Sequence, residues 1–313
     1  MFNPEEIIFA ATTACNLHCA HCYVNRDPKN LNAEKAIAFL ESCKGSPIEK
    51  VGFSGGEPFL ALDFMEKVIS FAYKNDFYFD RIMTNADWWK DENDLQQKLR
   101  RIYDAGYDGK IGISYDDYHG QKEERMVTFI KAVLEIFGEQ SLEIQSVIDD
   151  KKNPIEDKLS SLAEKMDLDF DCERDPKSGR GFASLSDGQT FISASIQAES
   201  YQSQDKRAWK DNAWFEDDFC QGPGQIFFVH PSGDIAPCCG FANENPSLFI
   251  GNINTEGESF DSVMERAKSN YMVKLCYEKG LSSVIKNYEK KGCLPGKSCD
   301  LCTFCDFVMK NPL

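Results

Sequence analysis

Three cysteines crowd one short stretch near the start of the chain, Cys15-Asn16-Leu17-His18-Cys19-Ala20-His21-Cys22. The C-x3-C-x2-C spacing sets three thiolates on one loop, just after an apolar β-like run at residues 7–13, at the strand edge where α/β sheets build their sites. An iron-sulfur cubane takes four ligands, so three cysteines leave one iron open to a chelator from outside the protein. The same residue types also permit a zinc site closed by His18 or His21.

A second concentration lies toward the other end. Of thirteen cysteines, eight fall between residues 220 and 305, and only Cys43 and Cys172 stand between the two groups. Cys299-Asp300-Leu301-Cys302 is a C-x2-C pair, a spacing that serves both zinc and iron-sulfur clusters. Cys239 directly follows Cys238, and neighbouring side chains of an extended segment point in opposite directions. Cys239 is therefore either a thiol available to react or a buried spectator, the common state of cysteine.

The elements that must position these residues follow a repeating pattern. Strand-like runs at 7–13, 50–55, 79–85, 110–116 and 142–149 each precede a segment of helical period, which predicts βα units around a mostly parallel sheet. A sixth strand is expected near Leu168–Glu173, after which GRGFASLSDGQT breaks the rhythm with Gly and Ser. The domain boundary is placed there, giving residues 1–200 and 201–313. In the second part, QIFFVHPSGDIAPCC reads as a β-hairpin turning at residues 231–234, followed by two helical stretches and a compact cysteine knot.

Composition narrows the function. With 313 residues and 42% hydrophobic content the chain can bury one large core or two. Its 35 basic and 51 acidic side chains give a net charge of −16, which argues against nucleic acid as a partner. The acidity suits a cationic peptide, or serves only to keep the surface solvated. No apolar run reaches the roughly 18 residues of a membrane span, and the first residues lack a basic, cleavable signal, so the expected location is the cytoplasm. Thiols stay reduced there, which favours metal ligation over disulfides.

The triad spacing after a first strand resembles the signature of the radical S-adenosylmethionine (radical SAM) superfamily. Ser54-Gly55-Gly56-Glu57-Pro58, after the second strand, resembles that family's GGE motif, although GGEP alone would be only a turn. The resemblance implies a partial (β/α)6 TIM-like barrel, with a small C-terminal cysteine-rich iron-sulfur domain. It implies a [4Fe-4S] cluster on Cys15, Cys19 and Cys22 whose open iron is chelated by SAM. His21 would take the position whose backbone contacts adenine, and two glycines would allow close backbone approach while Glu57 receives the methionine ammonium. Asn85, Ser114 and Asp116 would bind the ribose and methionine portions, or else cap the helices that follow them. Arg180 would pair with the SAM carboxylate, or be a surface residue.

Cys220, twelve residues, Gly233, four residues and Cys238 match the opening of the SPASM and twitch auxiliary-cluster domains in shortened form. With Cys299 and Cys302 they make a four-thiolate cage for a second [4Fe-4S] cluster, zinc being the alternative. Cys293 and Cys305 are unassigned; either could replace one of the four, or both could join Cys276 on a third cluster. Residues 113–119, the stretch from Cys220 to Cys239 and the terminal C-x2-C together resemble radical SAM peptide epimerases of the epipeptide type. That resemblance implies removal of a Cα hydrogen from a ribosomally made precursor peptide, with Cys239 returning a hydrogen from the opposite face. A flavodoxin or ferredoxin would supply electrons. A peptide cyclase forming a thioether, carbon-carbon or cyclopropane bond is the alternative, and an iron-sulfur electron carrier is the non-catalytic one. With the first ligand at residue 15, the peptide is expected to bind without a separate upstream recognition domain.

Overall fold

The computed structural model describes residues 1–24, 27–150, 152–220 and 224–312. Along the chain run β1 (Glu6–Ala10), α1 (Ala33–Ser42), β2 (Lys50–Ser54), α2 (Leu62–Lys74), β3 (Tyr78–Thr84), α3 (Glu92–Asp104), β4 (Lys110–Ser114), α4 (Glu123–Phe137), β5 (Leu142–Ile148) and α5 (Ile155–Met166). Then come β6 (Asp169–Arg174), β7 (Gly181–Ser186), β8 (Phe191–Ala198), β9 (Gly224–Val229), β10 (Asp234–Cys238), β11 (Gly251–Asn252), α6 (Phe260–Ser269), α7 (Tyr271–Lys274), α8 (Ser282–Lys291) and α9 (Leu301–Lys310). A π-helical turn, Leu275–Lys279, continues α7. The chain divides into two compact units, one of residues 10–33 and 51–199, the other of residues 1–9, 34–50 and 200–313.

In the first of these units the strand order is β2-β3-β4-β5-β8-β7-β6. The pairs β3–β4, β4–β5 and β5–β8 are parallel. Strands buried on both sides carry apolar runs: Val51 and Phe53 in β2, and Ile111 and Ile113 in β4, are fully or nearly fully buried. The helices bury one stripe each, as in α3, where Leu95, Leu99 and Ile102 recur at helical spacing and Asp91 caps the start by accepting from Asp94 N. The mixed α/β unit with its parallel strands is the expected partial-barrel architecture.

Two details differ from the sequence reading. The strand β6 forms where expected, but the place beside β5 belongs to β8. The segment 179–190, expected to end the domain, instead supplies β7 and the turn into β8, an antiparallel meander with β6. Ala183 and Leu185 are buried at alternate positions of β7, and Asp187 accepts from Gln189 N and Thr190 N to close the turn. The Gly and Ser content masked a strand whose alternation was there to be seen.

In the other unit β1 pairs parallel with β9, and β9–β10 and β10–β11 are antiparallel. The expected hairpin is β9–β10, and its turn needs glycine: Gly233 has φ +90°, and a Cβ there would lie 2.3 Å from Asn254 Nδ2. Helix α6 begins with a capping box between Ser259 and Ser262, and α9 begins with Asp300 accepting from Cys302 N. Among the described residues no helix is long and apolar enough to cross a membrane.

Candidate iron-sulfur and cofactor sites

The cysteine loop is seated by backbone hydrogen bonds from the turn after β2. Ala11 N donates to Ser54 O (3.0 Å), Gly56 N to Thr12 O (2.6 Å) and Glu57 N to Ala14 O (2.7 Å). These contacts, rather than a ligand, explain the glycines: a Cβ on Gly55 would lie 2.6 Å from Thr12 O, and one on Gly56 only 2.2 Å from Ala14 O. The paired glycines let one backbone lie against the other, and the second backbone carries Cys15.

Cys15, Cys19 and Cys22 line one cavity together with His21, Gly55, Gly56, Asn85 and Ser114. Asn85 Nδ2 donates to Asn16 Oδ1 (2.9 Å) and approaches Cys15 Sγ (3.6 Å). Gln121 Nε2 donates to Asn85 O (3.0 Å) and Ser114 O (2.5 Å), binding the ends of β3 and β4 into one floor. His21 has a buried Nδ1 with no hydrogen-bond partner among the described residues, and burial lowers its pKa.

Two carboxylates expected in this cavity turn away from it. Glu57 is fully buried and accepts from Phe59 N (3.1 Å), Thr84 Oγ1 (2.8 Å) and Asn85 N (2.8 Å), so it braces the β2 turn against the end of β3 rather than facing a ligand ammonium. Desolvation raises its pKa to about 7 against the pull of those hydrogen bonds. Asp116 is 1% exposed and accepts from Tyr118 N, His119 N, His119 Nδ1 (2.7 Å) and Val147 N. It caps its own turn and holds His119, which lines the cavity and whose side chain also hydrogen-bonds Cys19. Burial would lower the His119 pKa, but Asp116 and Cys19 together lift it to about 9. His119 closes the 113–119 stretch that carries the resemblance, which assigns it no role of its own. Arg180 is exposed in a turn closed by Asp175 and is absent from the cavity wall.

The donor set suits a cluster better than a single ion. Tetrahedral zinc with Zn–S of about 2.3 Å would draw its sulfurs to roughly 3.8 Å from one another. Among the described residues the only trio of ligand types with all its ligand atoms within 4.8 Å is His21, Asp116 and His119. At least one pair among the sulfurs of Cys15, Cys19 and Cys22 stands farther apart than 4.8 Å, which suits three separate irons better than one ion.

In the other unit, Cys220, Cys238, Cys276, Cys302 and Cys305 line an apolar cavity. Burial pushes the Cys220 thiol up to about 12 and those of Cys238 and Cys302 well above their ordinary value, so thiolates here need a positive metal core beside them. Cys299 does not line this cavity. It is exposed ahead of the α9 cap, with its backbone N donating to Asp211 Oδ2 (2.7 Å), whereas Cys302 and Cys305 lie one helical turn apart on a shared face. Cys239, the next residue after cavity-lining Cys238, is exposed.

Comparison with known proteins bears on the first unit most directly. Residues 10–137 match the family model described as Radical SAM superfamily. Uncharacterized protein MJ0907 of Methanocaldococcus jannaschii is 31% identical over 121 residues, 36% of this chain and 38% of that protein; the chain thus matches little more than a third of that relative's length. YydG of Bacillus subtilis strain 168, whose name assigns it to peptide biosynthesis, is 22% identical over 295 residues, 90% of this chain and 82% of that protein. Among solved structures, native anSMEcpe with bound AdoMet and Cp18Cys peptide has the same fold, with TM-score 0.56, 14% identity and coverage of 98% of this chain and 95% of that one. The segment that holds the three-cysteine loop is therefore a radical SAM domain, of the family that uses SAM and a [4Fe-4S] cluster.

Proposed function

We propose that this radical SAM enzyme modifies a ribosomally made precursor peptide by converting L-residues to D-residues. One observation carries the reading: Cys238 faces the thiol-lined cavity, while Cys239 beside it is exposed. The similarity to YydG and the peptide bound in the anSMEcpe structure support a peptide substrate.

Cys15, Cys19 and Cys22 would hold the first cluster, with Asn85, Ser114 and His21 around the SAM pocket. When loaded, that site supplies one electron to SAM, giving methionine and a 5′-deoxyadenosyl radical able to take a Cα hydrogen. Cys239 then returns a hydrogen atom from the opposite face. Donation needs the protonated thiol, and an ordinary cysteine with pKa of about 8.5 is mostly protonated at neutral pH. The cavity cysteines of residues 201–313 would hold a second, auxiliary cluster; when bound, it would supply the one electron that, with a solvent proton, restores the Cys239 thiol. A flavodoxin or ferredoxin is the external reductant, and the reaction runs in the cytoplasm.

The test incubates reduced enzyme with its precursor peptide in deuterated water. Epimerisation adds one deuterium at Cα and changes nothing else in mass; loss of two hydrogens would mean ring formation and overturn the reading. Cys239→Ala should cleave SAM yet yield no D-residue.

A further inference from the structure

The fourth ligand of the second site is the open question in its chemistry, because five thiols converge on one cavity and a cubane takes four. Two of the five are too close to serve separate irons: Cys276 Sγ and Cys305 Sγ are 3.8 Å apart. One of this pair is therefore a ligand and the other its neighbour. Cys276 is tied to Cys220 through the hydrogen bond from Cys220 N to Cys276 O (3.0 Å), and Tyr277 Oη fixes the same turn to Pro237 O (2.8 Å), one residue before Cys238. No three thiols crowd within 4.8 Å among the described residues, so the cage is wider than a zinc site.

We propose that Cys220, Cys238, Cys276 and Cys302 are the four ligands of a [4Fe-4S] cluster, and that Cys305 donates an S–H···S hydrogen bond to the Cys276 sulfur. Cys299 and Cys293 take no part. The assignment rests on the reading of the C-terminal unit as an auxiliary-cluster domain and replaces Cys299 in the ligand set. A hydrogen bond to a ligand sulfur raises a cluster's reduction potential, so Cys305 is a positioning residue that makes the cluster easier to reduce.

The full chain, reconstituted anaerobically, is assayed for iron and sulfide and titrated by electron paramagnetic resonance. Wild type should hold about eight irons, and Cys220→Ser and Cys276→Ser about four, with SAM cleavage at the first cluster retained as proof of folding. Cys299→Ser should keep about eight, and so should Cys305→Val, with the second cluster's potential shifted downward. Loss of four irons in Cys299→Ser or Cys305→Val, or their retention in Cys276→Ser, would overturn the assignment. If wild type holds only about four irons and Cys220→Ser removes none, the auxiliary-cluster reading itself fails.

Discussion

Replacing Glu57 by Gln exchanges one buried acceptor for a donor, and the surroundings of that atom set the cost. Thr84 Oγ1 accepts from Ala86 N and Trp88 Nε1, so its own proton is committed to Glu57. Glutamine can keep its oxygen toward Phe59 N and Thr84, which leaves its amide nitrogen against Asn85 N, donor to donor. A buried donor without an acceptor costs about 1–3 kcal/mol. The pH dependence runs the other way. Glu57 is raised from 4.5 to about 7, chiefly by desolvation, so the folded state binds this proton more tightly than the unfolded chain does. Its contribution to stability is complete below pH 4.5 and is lost as pH rises through about 7. Between pH 5 and pH 7 that loss is about 2 kcal/mol, and glutamine does not share it. Urea denaturation of both proteins at pH 5, 6 and 7 should show the variant less stable by about 1–3 kcal/mol at pH 5, with the gap shrinking by about 2 kcal/mol at pH 7. A gap that stays constant or widens with pH would refute the reasoning, since it would mean that the site favours the ionised carboxylate.

Gly56→Ala drives a Cβ into the Ala14 carbonyl, which no side-chain rotation relieves; the loop should unseat at a cost of about 3 kcal/mol, with iron lost from the first site alone. Asp116→Asn leaves one of four buried donors unmatched, and a melting curve should register about 1–3 kcal/mol. In the metal-free wild type, His119 adds stability that is complete below pH 6.5 and lost as pH rises through about 9; the Asn variant, left with the Cys19 contact alone, should show a smaller decline. Asp91→Ala removes the α3 cap and should lower stability by about 1 kcal/mol in thermal melts, leaving iron content unchanged.

What the sequence disclosed was spacing and period. The C-x3-C-x2-C loop, the alternation of strands with amphipathic helices and the hairpin before Cys238 all depend on neighbours a few residues apart, and each is where it was expected. Side-chain direction depends on what lies across the fold. Glu57 and Asp116 sit at the strand ends where ligand contacts were expected, yet their carboxylates are drawn inward by backbone N–H groups of Asn85 and Val147, 28 and 31 residues away. The C-terminal thiols were ambiguous for a different reason. Cys299, Cys302 and Cys305 contain the C-x2-C spacing twice, and only the start of α9 at Asp300 decides which thiols share a face.

The widened turn Leu275–Lys279 has a consequence for the evolution of such chains. A π-turn holds one residue more than an α-turn, and Cys276 lies within it. Deleting a single position there would rotate the following residues by about 100° around the helix axis. The segment could remain helical and the chain still fold, while Cys276 and Leu281, which line one cavity, were turned apart, so the wall of that cavity hangs on the length of one helical turn.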